Sequence, residues 1–298
     1  MSYLDNINSP ADVKKLSLKE LEALAEEIRS AVLNRDSKIG GHVGPNLGIV
    51  ETTIALHYVF NSPEDKIVYD VSHQSYPHKI LTGRKNGFLT DEGMREISGY
   101  TNPAESEHDH FIVGHTSTSV SLACGLAKAR DLKGEKHNVI AVIGDGSLSG
   151  GEALEGFDNA AILNSNIIII VNDNEMSIAE NHGGLYGNLR LLRQTGGKAE
   201  CNMFKALGFD YRYLEEGNDI AKLTSLMKEV KDTDKPTVLH IHTEKGKGYK
   251  PAEEHKETWH WSVPFDIASG NPTVDLSGEN YNLSLIHISE PTRPLYIS

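Results

Sequence analysis

Two aliphatic runs, "NVIAVIG" at 138–144 and "NIIIIVND" at 166–173, restrict this chain to few architectures. Neither alternates apolar with polar residues, so a strand made from either has to be covered on both faces. Between them, "GGEALEGFDNAAIL" carries its apolar residues at helical spacing. The same alternation continues on both sides. "KIVYDVS" reads as a strand, "STSVSLACGLAKARDLKG" as a helix of small residues, and "CNMFKALG", "DYRYL", "DIAKLTSLMKEVKD" and "PTVLHIHT" as helix, strand, helix and strand. Strands that alternate with helices predict an α/β fold, a parallel sheet covered by helices on both faces.

The first 60 residues are helical in pattern. Ser17 and Glu20 have capping-box spacing, and Leu18, Leu21, Leu24, Ile28 and Val32 recur at helical intervals. "NLGIVETTIALHYVF" is apolar all round, which predicts a buried second helix. "HQSYPHKILTG" reads as a short helix closed by Gly83, and the stretch from Asn86 to His110 as a polar loop.

Charge and cysteine content exclude several classes of function. The net charge of −13 carries no basic run, which argues against nucleic acid or an anionic membrane as partner. The longest aliphatic run, Ile167 to Ile170, is far too short to span a bilayer. Cys124 and Cys201 lie far apart in helix-like stretches, so no disulfide framework is expected. The start "MSYLDNINSPADVKK" has neither a signal core nor a transit pattern, and a cytoplasmic location is expected.

Ligands of parallel α/β sheets bind beyond the carboxyl ends of the strands. "GDG" and "NDN" fall there, on successive strands. Asp145 and Asn174 would thus offer a carboxylate and an amide oxygen to one crevice. Hard oxygens with one formal charge suit Mg²⁺, which completes its shell with phosphate oxygens and water. Gly144 and Gly146 would let a diphosphate approach the backbone, and amides at the start of the next helix would favour its charge.

This arrangement resembles the thiamine-diphosphate motif, which opens with Gly-Asp-Gly and closes with Asn. The resemblance implies thiamine diphosphate and Mg²⁺ as cofactors, with Asp145, Asn174 and the Met176 carbonyl as metal ligands. Four separated blocks narrow it further: "GGHVGPNLGIVETTIALHYVFNSPEDKIVYDVSHQSYPHKILTGR", "VGHTSTSVSLACGLAKARDLKG", "NDNEMSIAEN" and "EKGKGYKPAE". Together they are similar to the 1-deoxy-D-xylulose-5-phosphate synthase family over nearly all of the chain to about Asp266. That family joins pyruvate, after loss of CO₂, to glyceraldehyde 3-phosphate and feeds isoprenoid and vitamin synthesis. The resemblance places His73, Gly114, His115, Thr116, Gly146, Ser147 and Tyr249 around the cofactor. It sets His42 against the reacting carbonyl or the enolamine intermediate, and offers Lys245 and His260 for phosphate and substrate contact. Imidazoles suit proton transfer near neutral pH. The pairs His108/His110 and His240/His242 lack a third ligand nearby and read as structural.

The chain also departs from the family. Ser72 stands where members usually have Gly before the His-Gln pair, and the segment between "NDNEMSIAEN" and "FKALGFD" is short where many carry an insertion. Members also possess a second α/β domain that holds the aminopyrimidine and supplies an activating glutamate. The expected organisation is a thiamine diphosphate- and Mg-binding domain at 1–266, the start of a linker at 267–282, and a tail at 283–298. That tail, "LSLIHISEPTRPLYIS", resembles translated sequencing adapter and is expected to be non-native. By itself such a chain is expected to be inactive, to need the pyrimidine-binding domain in cis or from a partner subunit, and to form a homodimer. An N-terminal subunit of a split transketolase-like enzyme and a non-catalytic cofactor-binding module are the alternatives.

Overall fold

The computed structural model describes residues 2–276; the tail expected at 283–298, and the linker beyond residue 276, lie outside the described residues. Among the described residues, five strands form one parallel sheet: β1 (Lys66–Tyr69), β2 (Val139–Gly144), β3 (Ile168–Asp173), β4 (Asp210–Leu214) and β5 (Thr237–His242), in the order β1-β2-β3-β5-β4. The unbroken apolar runs resolve into two alternating faces, as the two-residue period of a strand requires. Val139, Ala141 and Ile143 of β2, with Ile169 and Val171 of β3, pack beneath the helices Ser119–Lys133, Gly151–Ala161 and Gly184–Gln194. Ile140, Val142, Ile168 and Ile170 face the other way, onto Leu56, Val59 and Phe60 and onto Leu223, Met227 and Val230 of the helix Ile220–Val230. The doubly covered α/β sheet expected from the sequence is the fold observed.

The N-terminal helix runs Leu18–Ile39 and begins with the expected capping box, Ser17 N–H donating to Glu20 at 2.7 Å. The apolar stretch after it is buried on all sides but breaks at Ile49 into Val43–Gly48 and Val50–Val59. Gly83 closes the next helical segment in the left-handed region, φ 90°. Three details differ from expectation. The polar stretch after Asn86 contains a helical turn, Asn86–Leu89. Cys201 precedes its helix, because the Asn202 side chain caps Phe204 and Lys205 and starts the helix at Met203. Both Cys124 and Cys201 are free thiols. Finally, "GLYGNLRLLRQ" forms the helix Gly184–Gln194, which sinks Tyr186, Leu189 and Leu192 into the core. Among the described residues, no helix is long and apolar enough to cross a membrane.

The turn after β1 ties the sheet edge to two distant segments. Asp70 is buried, and its carboxylate accepts the N–H groups of Ser117 (2.8 Å) and Ser119 (2.9 Å), fastening the first turn of the helix Ser119–Lys133 to the end of β1. Val71 and Ser72 then adopt left-handed backbone angles, φ 57° and 64°. This explains why glycine suits the position of Ser72, and what serine does instead. Its hydroxyl donates to the Val113 carbonyl (3.0 Å) and accepts from Thr101 N–H (3.0 Å), stapling the turn to the loop beyond. Replacing Ser72 by Ala keeps the unfavourable angle and strands the buried Thr101 N–H, at a cost of about 1–3 kcal/mol. Gly at this position regains about 1 kcal/mol of backbone strain. Chemical denaturation should therefore rank stability as wild type, then Ser72→Gly, then Ser72→Ala.

Candidate functional site

Register explains how the two motifs meet. Gly144 of β2 pairs with Asn172 of β3, so Asp145 and Asp173 emerge side by side at the carboxyl edge of the sheet. Beyond them the chain turns sharply: Asp145–Ser149 forms a helical turn, while Glu175 takes a left-handed φ of 67°. A cavity of about 310 Å³ opens over this edge. Its floor carries Asp145, Gly146, Ser147, Asn174 and Met176; its walls carry His42, His73, Thr116, Lys245 and His260. Gly146 is required by contact, since a Cβ there would collide with Ser177.

Asp145 is buried, and one of its oxygens accepts a hydrogen bond from Asn181 Nδ2 at 2.7 Å. Burial, and then the charge of Asp173, push its carboxyl well above the usual range. Asp173 goes the other way. Although burial opposes it, hydrogen bonding to His240, together with Arg193, holds it down at about 2. Among the described residues, no three His, Cys, Asp or Glu side chains form a metal cage. Of the two carboxylates that line the cavity, Asp70 is taken up by the Ser117 and Ser119 N–H groups; Asp145, the Asn174 amide and the chain at Met176 are a set that suits a hard cation whose shell is shared with phosphate and water.

The three histidines meet ring against ring: His42 to His73 at 5.0 Å, His73 to His260 at 5.4 Å and His42 to His260 at 5.6 Å between centroids. Asn46 sets two of them, its side-chain amide donating to the carbonyls of His42 (2.7 Å) and His73 (2.8 Å) while its oxygen receives Tyr76 N–H (2.9 Å). Burial, with Arg35 nearby, lowers His42 to about 4; burial, with Lys245 and His42, does the same for His260. His73 is driven well below its ordinary value by burial and by its two neighbours. The Nδ1 atoms of His73 and His260 are buried without a hydrogen-bond partner. Lys245 is buried too, which lowers it to about 8, and its ammonium donates to the carbonyl of Ser177 at 2.7 Å.

Three expected site residues stand apart. Gly114 and His115 are exposed on the approach to Thr116 and do not line the cavity. Tyr249 is packed edge-on against Trp259 at 5.0 Å, its hydroxyl donating to the Ile267 carbonyl at 3.0 Å, so it serves the core beneath the Lys245 turn. Conversely, Asn46, Asp70, Asp173 and Asn181 shape the site although the sequence pattern does not single them out. Asp173 is the middle residue of "NDN", and its central place there is the signal that could have found it.

The parallel sheet with its helical layers is shared with transketolases. The Campylobacter jejuni enzyme superposes with a TM-score of 0.63 at 20% identity over 87% of this chain and 44% of that one. The Leishmania mexicana enzyme gives 0.62 at 19% identity over 91% and 44%. A family model described as 1-deoxy-D-xylulose-5-phosphate synthase matches residues 4–199 and 190–243, and the chain belongs to that family. It is 47% identical to the 1-deoxy-D-xylulose-5-phosphate synthase of Listeria monocytogenes serotype 4b over 90% of its length, and 43% identical to that of Pelotomaculum thermopropionicum, also over 90%. It spans about half the length of these relatives, 46% and 47% respectively.

Because the fold holds these imidazoles neutral, acid should destabilise it. Between pH 6.5 and about 4 the unfolded chain takes up protons that the buried His42 and His260 refuse. Stability should then fall with pH by up to about 1.4 kcal/mol per unit for each such group. Asp145 has the opposite sign, so the comparison is best made against the double variant His42→Asn/His260→Asn. Denaturation curves at pH 7, 6, 5 and 4 should show a shallower acid loss for that variant; parallel curves would mean that the imidazoles are charged in the fold.

Proposed function

We propose that this chain is the metal- and diphosphate-binding part of a thiamine diphosphate-dependent transferase that joins pyruvate, with loss of CO₂, to glyceraldehyde 3-phosphate, giving 1-deoxy-D-xylulose 5-phosphate. The observation that carries the reading is the convergence of Asp145, Asn174 and Met176 with three histidines and Lys245 on one cavity, in a chain of this family.

The residues fit the cofactor. Asp145, the Asn174 amide oxygen and the Met176 carbonyl would hold Mg²⁺, and Gly146 gives a diphosphate access to the backbone beside Ser147. A bound cation would also stabilise the ionised form of Asp145, which burial opposes. Thiamine diphosphate, when bound, supplies the nucleophilic carbon and the electron sink for the chemistry. The protein's part is to orient and to move protons. His42, His73 and His260 are neutral near pH 7, hence able to accept a proton, and the free Nδ1 atoms of His73 and His260 mark where a partner is wanted. Lys245 is largely cationic at that pH and would attract the carboxylate or phosphate of a substrate. Gly114 and His115 would join the cofactor's surroundings from the loop that leads to Thr116, and Tyr249 would act through the turn that carries Lys245.

Exposed apolar side chains stand around the cavity's mouth. Ile178 lines it, Trp261 comes directly after His260, Ile112 precedes the Gly114 turn, and the Tyr100 ring lies 6.1 Å from that of His42. Their exposure supports a second domain or subunit closing over the site, with the pyrimidine-binding half supplied in cis or by a partner, and a homodimer as the assembly.

Calorimetric titration of the chain with thiamine diphosphate and Mg²⁺ tests the reading. Wild type should bind with an Mg²⁺-dependent heat. Asp145→Ala should weaken that binding by more than the 10–100-fold typical of outer-shell changes, with its thermal transition retained. Equal affinity in the two proteins would remove Asp145 from the metal.

A further inference from the structure

The loop that presents Asn174 is held by a side chain from the next helix. Arg193, near the end of the helix Gly184–Gln194, pairs through Nη1 with Asp173 and through Nη2 with Glu175. These are the two residues that flank Asn174. One planar guanidinium therefore spans the loop on both sides of the amide, in the two-pronged manner that only arginine allows. The inner prong is itself anchored. Asp173 is buried, accepts from His240 Nε2 at 2.9 Å, and receives Glu175 N–H at 3.1 Å; His240 in turn meets the Tyr211 hydroxyl at 2.8 Å. The outer prong has work to do, because Glu175 sits at a φ of 67°, an angle a glutamate adopts only when its surroundings impose it.

We propose that Arg193 is a positioning residue for the metal site: by bridging Asp173 and Glu175 it fixes the left-handed turn that points Asn174 toward the cation held with Asp145. This inference rests on the metal site proposed above. It gives the helix Gly184–Gln194 the task of stiffening that site. Arg193 does not line the cavity itself. Its influence on the cation passes through the backbone of residues 173–175.

Charge alone makes the opposite prediction, which renders the idea testable. A guanidinium near a divalent cation repels it, so Arg193→Met should tighten metal binding if electrostatics were the whole effect. A clamp predicts loosening. Mn²⁺ titrated into the whole chain at saturating thiamine diphosphate, read by calorimetry against the same titration without protein, gives the affinity directly. Arg193→Met should bind Mn²⁺ about 10–100-fold more weakly than wild type, as outer-shell losses do. Arg193→Lys keeps the charge and the fold but cannot span both carboxylates, and should lose several-fold, with a thermal transition close to wild type. Unchanged affinity in Arg193→Lys, or tighter binding in Arg193→Met, would overturn the clamp while leaving the metal site in place. If wild type and Asp145→Ala bind Mn²⁺ alike, the metal site itself falls, and this inference with it.

Discussion

A strand buried on both faces can carry polar chemistry only where it ends. β2 and β3 are such strands, apolar from Val139 to Ile143 and from Ile168 to Val171 and covered on each side by helices. Every polar group that these two strands offer therefore emerges in one narrow band at the carboxyl edge. Parallel pairing puts the ends of neighbouring strands in the same band, so Asp145 and Asp173 meet without any long-range design beyond register. The price of that geometry is two buried carboxylates side by side. The fold resolves it asymmetrically, with His240 and Arg193 stabilising the charge on Asp173 while Asp145 is left strained toward its neutral form.

The walls of the cavity obey a different rule. Its histidines come from helix ends and a turn at three separate places in the chain, and they are ordered by backbone contacts more than by each other. Asn46 holds the turns of His42 and His73 together through their carbonyls. Burial then does the electrostatic work, keeping uncharged three rings whose centroids lie 5.0 to 5.6 Å apart and which would repel if all were positive. The lysine beside them remains the principal cation of the cavity.

Much of this is legible in the sequence, and for physical reasons. Continuous apolar runs cannot be half-exposed strands, so the sheet and its two helical layers can be read directly, as can the placement of Asp145 and Asn174. Boundaries depend on local caps, which is why Asn202 moves Cys201 out of its helix. The helix Gly184–Gln194 escapes the pattern although Leu185, Tyr186, Leu189 and Leu192 repeat at helical spacing, because the glycines at 183, 184 and 187 read as breakers. Strand order, with β5 inserted between β3 and β4, has no local signature at all. Nor does the pairing of Arg193 with Asp173, which depends on how a helix lies across the sheet. Tyr249 shows the reverse case: a motif position that the fold uses for packing.

The two hydrogen bonds that Asp70 accepts have a wider meaning for how this chain can change. They join the end of β1 to the beginning of the helix Ser119–Lys133, closing the backbone of the intervening excursion into a loop tied at its neck. Within that loop the Lys79–Glu105 and Arg84–Asp109 pairs brace one part against another. A knot at the neck and cross-ties inside make the excursion a module. Because Tyr76, Ile80, Leu81 and Phe88 of the excursion pack into the core of the N-terminal helix and His73 lines the cavity, change is tolerated in its exposed stretches alone, and the neck keeps such change from reaching the sheet edge.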